Sequence, residues 1–231
     1  MSIFSNVFLA MTNYELTEFL PSKLAYMACH FSPYGLGLSN VPQRLPAGSI
    51  LLLDDSMQVA NHDTKVVTSQ LSELVRQFSV KAVVLDFQGV YNTESEQMAS
   101  AILQALPCPV AITETYANRL QSPVFLSPPP ITMPLSRYLA PWKKQGVYLE
   151  IATQSVQFIV TEEGSISKVL PGAQNLPLKD SKLHCHYTVE VFPDRAVFTL
   201  SRTLEDLARL AEEAYALGAG DVIGLYQELC K

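Results

Sequence analysis

The chain has 231 residues, of which 48% are hydrophobic and only 16% charged, and a net charge of −6. That length and composition suit one large folded domain and exclude an intrinsically disordered chain. The acidic balance, without a cluster of Lys or Arg, argues against nucleic acid as a partner. Cys29, Cys108, Cys185 and Cys230 are widely spaced and lack a metal or redox spacing, so free thiols are expected. The apolar N-terminal stretch carries no basic residue before Lys23 and does not read as a signal peptide. No apolar run reaches the roughly 18 residues of a membrane span, so the expected location is the cytoplasm.

Along the chain, eight short apolar runs end in a polar residue: 24–31, 49–55, 82–88, 109–114, 123–127, 146–152, 195–201 and 221–226. Near-continuous Val, Ile and Leu runs of this length fit strands covered on both faces. Helical patterns separate several of them. Asp63–Phe78 places Val67, Leu71, Leu74, Val75 and Phe78 on one stripe, with Asp63 or Thr64 as its cap. Thr93–Glu96 matches a capping box ahead of Met98, Ala99 and Ile102. Thr203 opens a third helix that stops at Gly218.

Alternating strands and helices predict right-handed βαβ units. Eight strands predict a degenerate (β/α)8 barrel spanning residues 1–231 as a single domain, with an open doubly wound sheet as the alternative. The helix ring is expected to be incomplete. Ser32–Gly48 has no helical period, and Gln157–Val169 and His184–Thr199 read as β-hairpins in place of the sixth helix.

Barrels bind ligands where the carboxyl ends of their strands meet. Five of the eight runs carry an acid at or just past that end. Side-chain alternation places Asp86 and Gln88 inward if Val84 is inward, Glu114 inward if Val110 and Ile112 are, and Glu150 inward if Tyr148 is. Carboxylates converging on a partly apolar mouth repel one another, which supplies an acid and a base for bond cleavage. Asp55, Asp86, Glu114 and Glu150 are therefore the candidate catalytic groups. His30, Tyr34, Gln88, Tyr116, Arg202 and Gln227 are candidate contacts for a small polar ligand. The His184-x-His186 pair shares one strand face, but its expected place is an exposed hairpin; no metal and no cofactor is predicted.

The run Lys81-Ala82-Val83-Val84-Leu85-Asp86-Phe87-Gln88 resembles a barrel strand of the chitinase-like family 18 glycoside hydrolases. There the strand ends in Asp-x-Asp-x-Glu, and the final Glu is the general acid. The resemblance spans about eight residues. It implies a TIM-type barrel and a carbohydrate ligand, with Asp86 at the last Asp, Gln88 at the acid and Val84 at the preceding Asp. Gln88 cannot donate a proton as a carboxylic acid does. The chain also resembles clostridial proteins that share the Cys29–Gly35 segment, a likeness that implies no activity. Two readings follow: a glycosidase-like hydrolase working through the strand-end acids, or a non-catalytic sugar-binding barrel.

Overall fold

The computed structural model describes residues 4–57 and 59–230. In chain order its elements are β1 (Phe8–Met11), α1 (Glu15–Glu18), β2 (Leu24–Phe31), β3 (Leu38–Ser39), β4 (Ile50–Asp54), α2 (Thr64–Phe78), β5 (Ala82–Asp86), α3 (Thr93–Ala105), β6 (Val110–Thr113) and α4 (Glu114–Leu120). There follow β7 (Val124–Leu126), α5 (Leu135–Leu139), β8 (Val147–Ile151), β9 (Ser155–Thr161), β10 (Gly164–Val169), β11 (Leu178–Asp180), β12 (Cys185–Val191), β13 (Ala196–Ser201), α6 (Leu204–Ala216), β14 (Asp221–Leu225) and α7 (Tyr226–Leu229).

Eight parallel strands close into a barrel in the order β1-β2-β4-β5-β6-β7-β8-β14, and β14 pairs back onto β1. The predicted barrel is thus present, but one stave differs. The first strand is Phe8–Met11, which the sequence pattern did not single out. The run 195–201 is not a stave: β13 sits in a separate antiparallel sheet of order β10-β9-β13-β12-β11, inserted after β8. Both expected hairpins lie in this sheet. They do not replace a helix, because α6 follows them before β14. The expected gap in the ring holds after β2, where the short antiparallel β3 stands instead of a helix.

The barrel interior is packed with Phe8, Ala10, Ala25, Ile50, Leu52, Ala82, Val84, Ala111, Phe125, Tyr148 and Ile223. Small residues alternate with large ones because an eight-stranded interior is only wide enough for its own side chains. A larger apolar layer joins the strands' outer faces to the helices. Three helix starts follow local chemistry. The Asp63 side chain accepts from the Lys65 and Val66 amides, and Thr203 with Asp206 completes a capping box. At α3 the cap is Asn92, which accepts from the Ser95 amide, one residue earlier than the predicted Thr93.

One face of the inserted sheet is the more apolar, although the other also carries Ile159, Ile166 and Val197. In register, β9 supplies Val156, Phe158 and Val160, and β13 supplies Leu200, Phe198 and Ala196. β12 continues the face with Tyr187, Val189 and Val191. The opposite face carries His186, Thr188 and Glu190 on β12, with Lys168 on β10. The buried Arg202 guanidinium ties the base of the sheet to the barrel loops. It donates to the carbonyls of Pro129 (2.5 Å), Pro130 (3.4 Å) and Leu183 (3.2 Å) and to Gln154 Oε1 (3.1 Å).

Candidate functional site

Residues opposite one another in parallel strands share a face, so the register locates the mouth. His30 stands opposite Asp54, and Asp54 opposite Asp86. Ile50, Leu52 and Val84 point into the barrel, so Asp54 and Asp86 also point inward, at the upper rim. A register shift in β2 between Tyr26 and Cys29 sends Cys29 into the outer layer and brings His30 to the same rim. Tyr148 is interior, so Glu150, two residues on, is interior as well.

Asp86 and Glu150 are the acids the rim perturbs most. Burial raises the Asp86 carboxyl above its ordinary value; the hydrogen bond from Gln88 opposes this, and the charges of Asp54 and Asp55 reinforce it. Burial, with Asp86 and Glu228 nearby, pushes Glu150 up to about 7. Near neutral pH Glu150 therefore holds its proton about half the time. Gln88 Nε2 donates to Asp86 Oδ1 at 2.5 Å. Glu228, in α7 just beyond the last stave, accepts from the Thr153 amide (2.8 Å) and hydroxyl (3.1 Å). Tyr138 on α5 donates to the Ser127 carbonyl at 3.0 Å. Burial, with the charges of Glu114 and Glu150, lifts its hydroxyl to about 12.

The remaining candidates divide by what their polar atoms already do. The Asp55 carboxylate accepts from the Gln88 amide (2.9 Å) and the Gly89 amide (3.1 Å), so it anchors the loop beyond β5. A Cβ at Gly89 would lie 2.9 Å from Asp55 Oδ2, which explains the glycine there. Glu114 reaches the upper rim by a different route from the expected one. Ala111 is the interior residue of β6, so Val110 and Ile112 face the helices and Glu114 opens α4, exposed to solvent. Gln227 is exposed and donates to Glu15 Oε1 at 2.7 Å.

Three expectations are corrected. Tyr116 is not at the open mouth but fully buried, edge-on to Phe87, with its hydroxyl accepting from the Asn92 amide at 3.3 Å. Arg202 is buried, and its guanidinium is occupied by the carbonyls described above. His184 and His186 are not an exposed pair: His184 Nε2 meets Glu213, and His186 Nδ1 meets Asp206 Oδ2 at 2.8 Å, both on α6. Among the described residues, no group of three or more His, Cys, Asp or Glu is placed to hold a metal ion.

Two hollows flank the mouth beside β2, β4 and β5. One, of about 510 Å³, is lined by residues that include Ser32, Tyr34, Met57 and His62. The other, of about 440 Å³, is lined by residues that include Asp55, Met57, Val90 and Asn92. Tyr34 is 98% exposed, so it stands clear of the mouth rather than plugging it.

No family model and no curated protein sequence matches the chain. Solved structures do. The spore cortex-lytic enzyme SleL of Bacillus cereus superposes with a TM-score of 0.61 at 9% identity, over 97% of this chain and 71% of that one. A chitinase of Cycas revoluta, in a variant that includes a Glu-to-Gln replacement and is bound to (GlcNAc)4, gives 0.57 at 12%, over 95% and 94%. The fold is that of the chitinase-like barrels. The chitinase-like agglutinin of Robinia pseudoacacia is equally similar, at 0.57 and 11% identity over 94% and 93%. At such identities the likeness fixes the architecture, and the chemistry has to be argued from the side chains. Among the described residues, no helix is long and apolar enough to cross a membrane.

Proposed function

We propose that this chitinase-like barrel binds an oligosaccharide of the N-acetylhexosamine type at its upper mouth and does not cleave it. The observation that carries this reading is Gln88. It stands where the resembling strand motif has its general acid, and its amide is committed to Asp86. A carboxamide has no acidic proton to give a leaving group, but it can donate and accept hydrogen bonds. Asp86 as acceptor and a largely protonated Glu150 as donor below about pH 7 match the mixed donor and acceptor character of sugar hydroxyls. The ligand class is taken from the neighbours bound to (GlcNAc)3 and (GlcNAc)4. An agglutinin among them supports binding without hydrolysis.

One observation favours the alternative of hydrolysis. A carboxyl raised to about 7 beside a second acid is poised as a general acid, with Asp86 as base or nucleophile. Incubation with a chitin tetrasaccharide, followed by product analysis and calorimetric binding, separates the two readings. The binding reading predicts association without products, weakened at least about tenfold by Asp86→Asn through loss of a charged acceptor. Turnover by the wild-type chain that falls about 10²- to 10⁴-fold in Glu150→Gln would establish hydrolysis instead.

A further inference from the structure

Between the inserted sheet and the barrel loops lies a hollow of about 390 Å³. That is within the roughly 300–1,000 Å³ of small-ligand pockets. Its lining includes Ile131 and Thr132 from the loop after β7, Thr153 and Gln154 from the turn after β8, and Phe158 and Val169 from the sheet. No charged residue lines it. Its walls are held in place from behind. The buried Arg202 guanidinium binds the Pro129 and Pro130 carbonyls on one side and Gln154 Oε1 on the other.

Thr153 joins this hollow to the mouth. It lines the hollow, and its amide and hydroxyl donate to Glu228, one of the charges that Glu150 feels. The polar groups of the turn are mostly spent within the protein. The Gln154 carbonyl accepts from the Arg202 amide, and the Ser155 carbonyl from the Leu170 amide. The Ser155 hydroxyl donates to the Gly172 carbonyl. A sugar ring placed here would give up its water without gaining matching hydrogen bonds. Apolar side chains remain open, together with two donors. Gln154 Nε2 and the Thr132 hydroxyl make no hydrogen bond among the described residues.

We propose that the hollow is a second subsite, beside the mouth, for an aliphatic acyl chain longer than acetyl, carried as an amide on an end sugar of the bound oligosaccharide. This rests on the reading that the mouth holds an oligosaccharide of the hexosamine type. The acyl carbonyl accepts from Gln154 Nε2 or the Thr132 hydroxyl, and the chain lies against Ile131, Phe158 and Val169. A free fatty acid fits less well, because its carboxylate would meet no cation in the lining.

Calorimetric titration of the full chain with a chitin tetrasaccharide, and with the same sugar bearing one N-hexanoyl group in place of an end N-acetyl, tests the proposal. The two ends are substituted in separate probes. Each added methylene is worth up to about fourfold in affinity when buried, so one of the two probes should bind at least about tenfold more tightly than the parent. Val169→Asp should return the ratio of probe to parent affinity to near one, because the chain would then meet a charge. Val169 is 79% exposed, so the fold tolerates this change. Phe158→Ser provides a second reading of the same ratio. Ile166→Asp, on the other face of the sheet and 73% exposed, should leave the ratio unchanged. If the parent binds and neither probe binds more tightly, the subsite is refuted while the reading of the mouth stands. If neither the parent nor the probes bind, both are refuted. A gain that survives Val169→Asp and Phe158→Ser, or that Ile166→Asp removes equally, also overturns the proposal, because the chain would then lie elsewhere.

Discussion

At the lower end of the barrel, Asp221 is buried and meets Lys81 Nζ at 2.6 Å. Lys81 in turn lies over the Phe8 ring that fills this end of the interior, 5.2 Å from its centroid. At the upper end, Asp86 and Glu150 are also drawn out of water, yet among the described residues none of the ion pairs reaches either. One interior thus contains one acid neutralised by a cation and two acids that no cation neutralises, both raised chiefly by burial, with Asp86 adding to the proton affinity of Glu150. The lower arrangement serves stability. The upper one costs stability, and a fold keeps such a cost where a ligand repays it.

The sign of a mutation's effect is the sharpest way to break this contrast. Lys81→Met leaves Asp221 buried and unpaired and should cost about 3 kcal/mol, the low end for a broken buried pair because the lysine is 47% exposed. Denaturant unfolding measures this, and a neutral result would remove the structural role of the lower pair. Glu150→Gln should do the reverse. A carboxyl that titrates near 7 when folded and near 4.5 when unfolded binds its proton more tightly in the folded chain. Stability therefore falls as pH rises from about 4.5 to about 7, then levels off. The amide should accordingly gain on the order of 2 kcal/mol at pH 8.5 and nothing near pH 4, an upward shift in Tm of about 4–8 °C at the higher pH. Loss of stability at pH 8.5 would contradict the reading of Glu150 as an unneutralised acid. The smallest effect belongs to Asp55→Asn, which forfeits one of two loop hydrogen bonds and should cost about 1 kcal/mol. Asp55 lies at the mouth but should behave like the acid below, because its charge is already satisfied.

Much of the barrel was legible because a parallel stave is an apolar run ending in a polar residue, and seven such runs are staves. Phe8–Met11 escaped because it is short and closes on Thr12 and Asn13 rather than on an acid. Ala196–Ser201 was misassigned because an apolar run looks alike in a parallel stave and in an antiparallel strand. Its alternation, with Ala196, Phe198 and Leu200 on one face and Val197, Thr199 and Ser201 on the other, was the available signal.

Within the site, Asp86 and Glu150 followed from alternation, and Gln88 from the motif. The phase of β6 did not. The narrow interior takes Ala111 and sends the larger Val110 and Ile112 outward, so the inference for Glu114 began from the wrong residue. Tyr138 and Thr153 were not legible, because loop packing over long sequence distances brings them to the rim. Arg202 and Tyr116 looked like ligand contacts by type, whereas the structure buries both, which residue type alone does not reveal.

The central claim is that the unneutralised acids at the upper mouth hold a sugar that stays intact. Its most direct test is amide NMR of the labelled chain during titration with a chitin tetrasaccharide, with the sugar's own signals followed in the same sample. The account predicts saturable shifts centred on Asp86, Gln88, Glu150 and Thr153, little change at Lys81 and Asp221, and an unaltered tetrasaccharide at the end. Shifts confined to the lower end, or the appearance of shorter sugars, would contradict it.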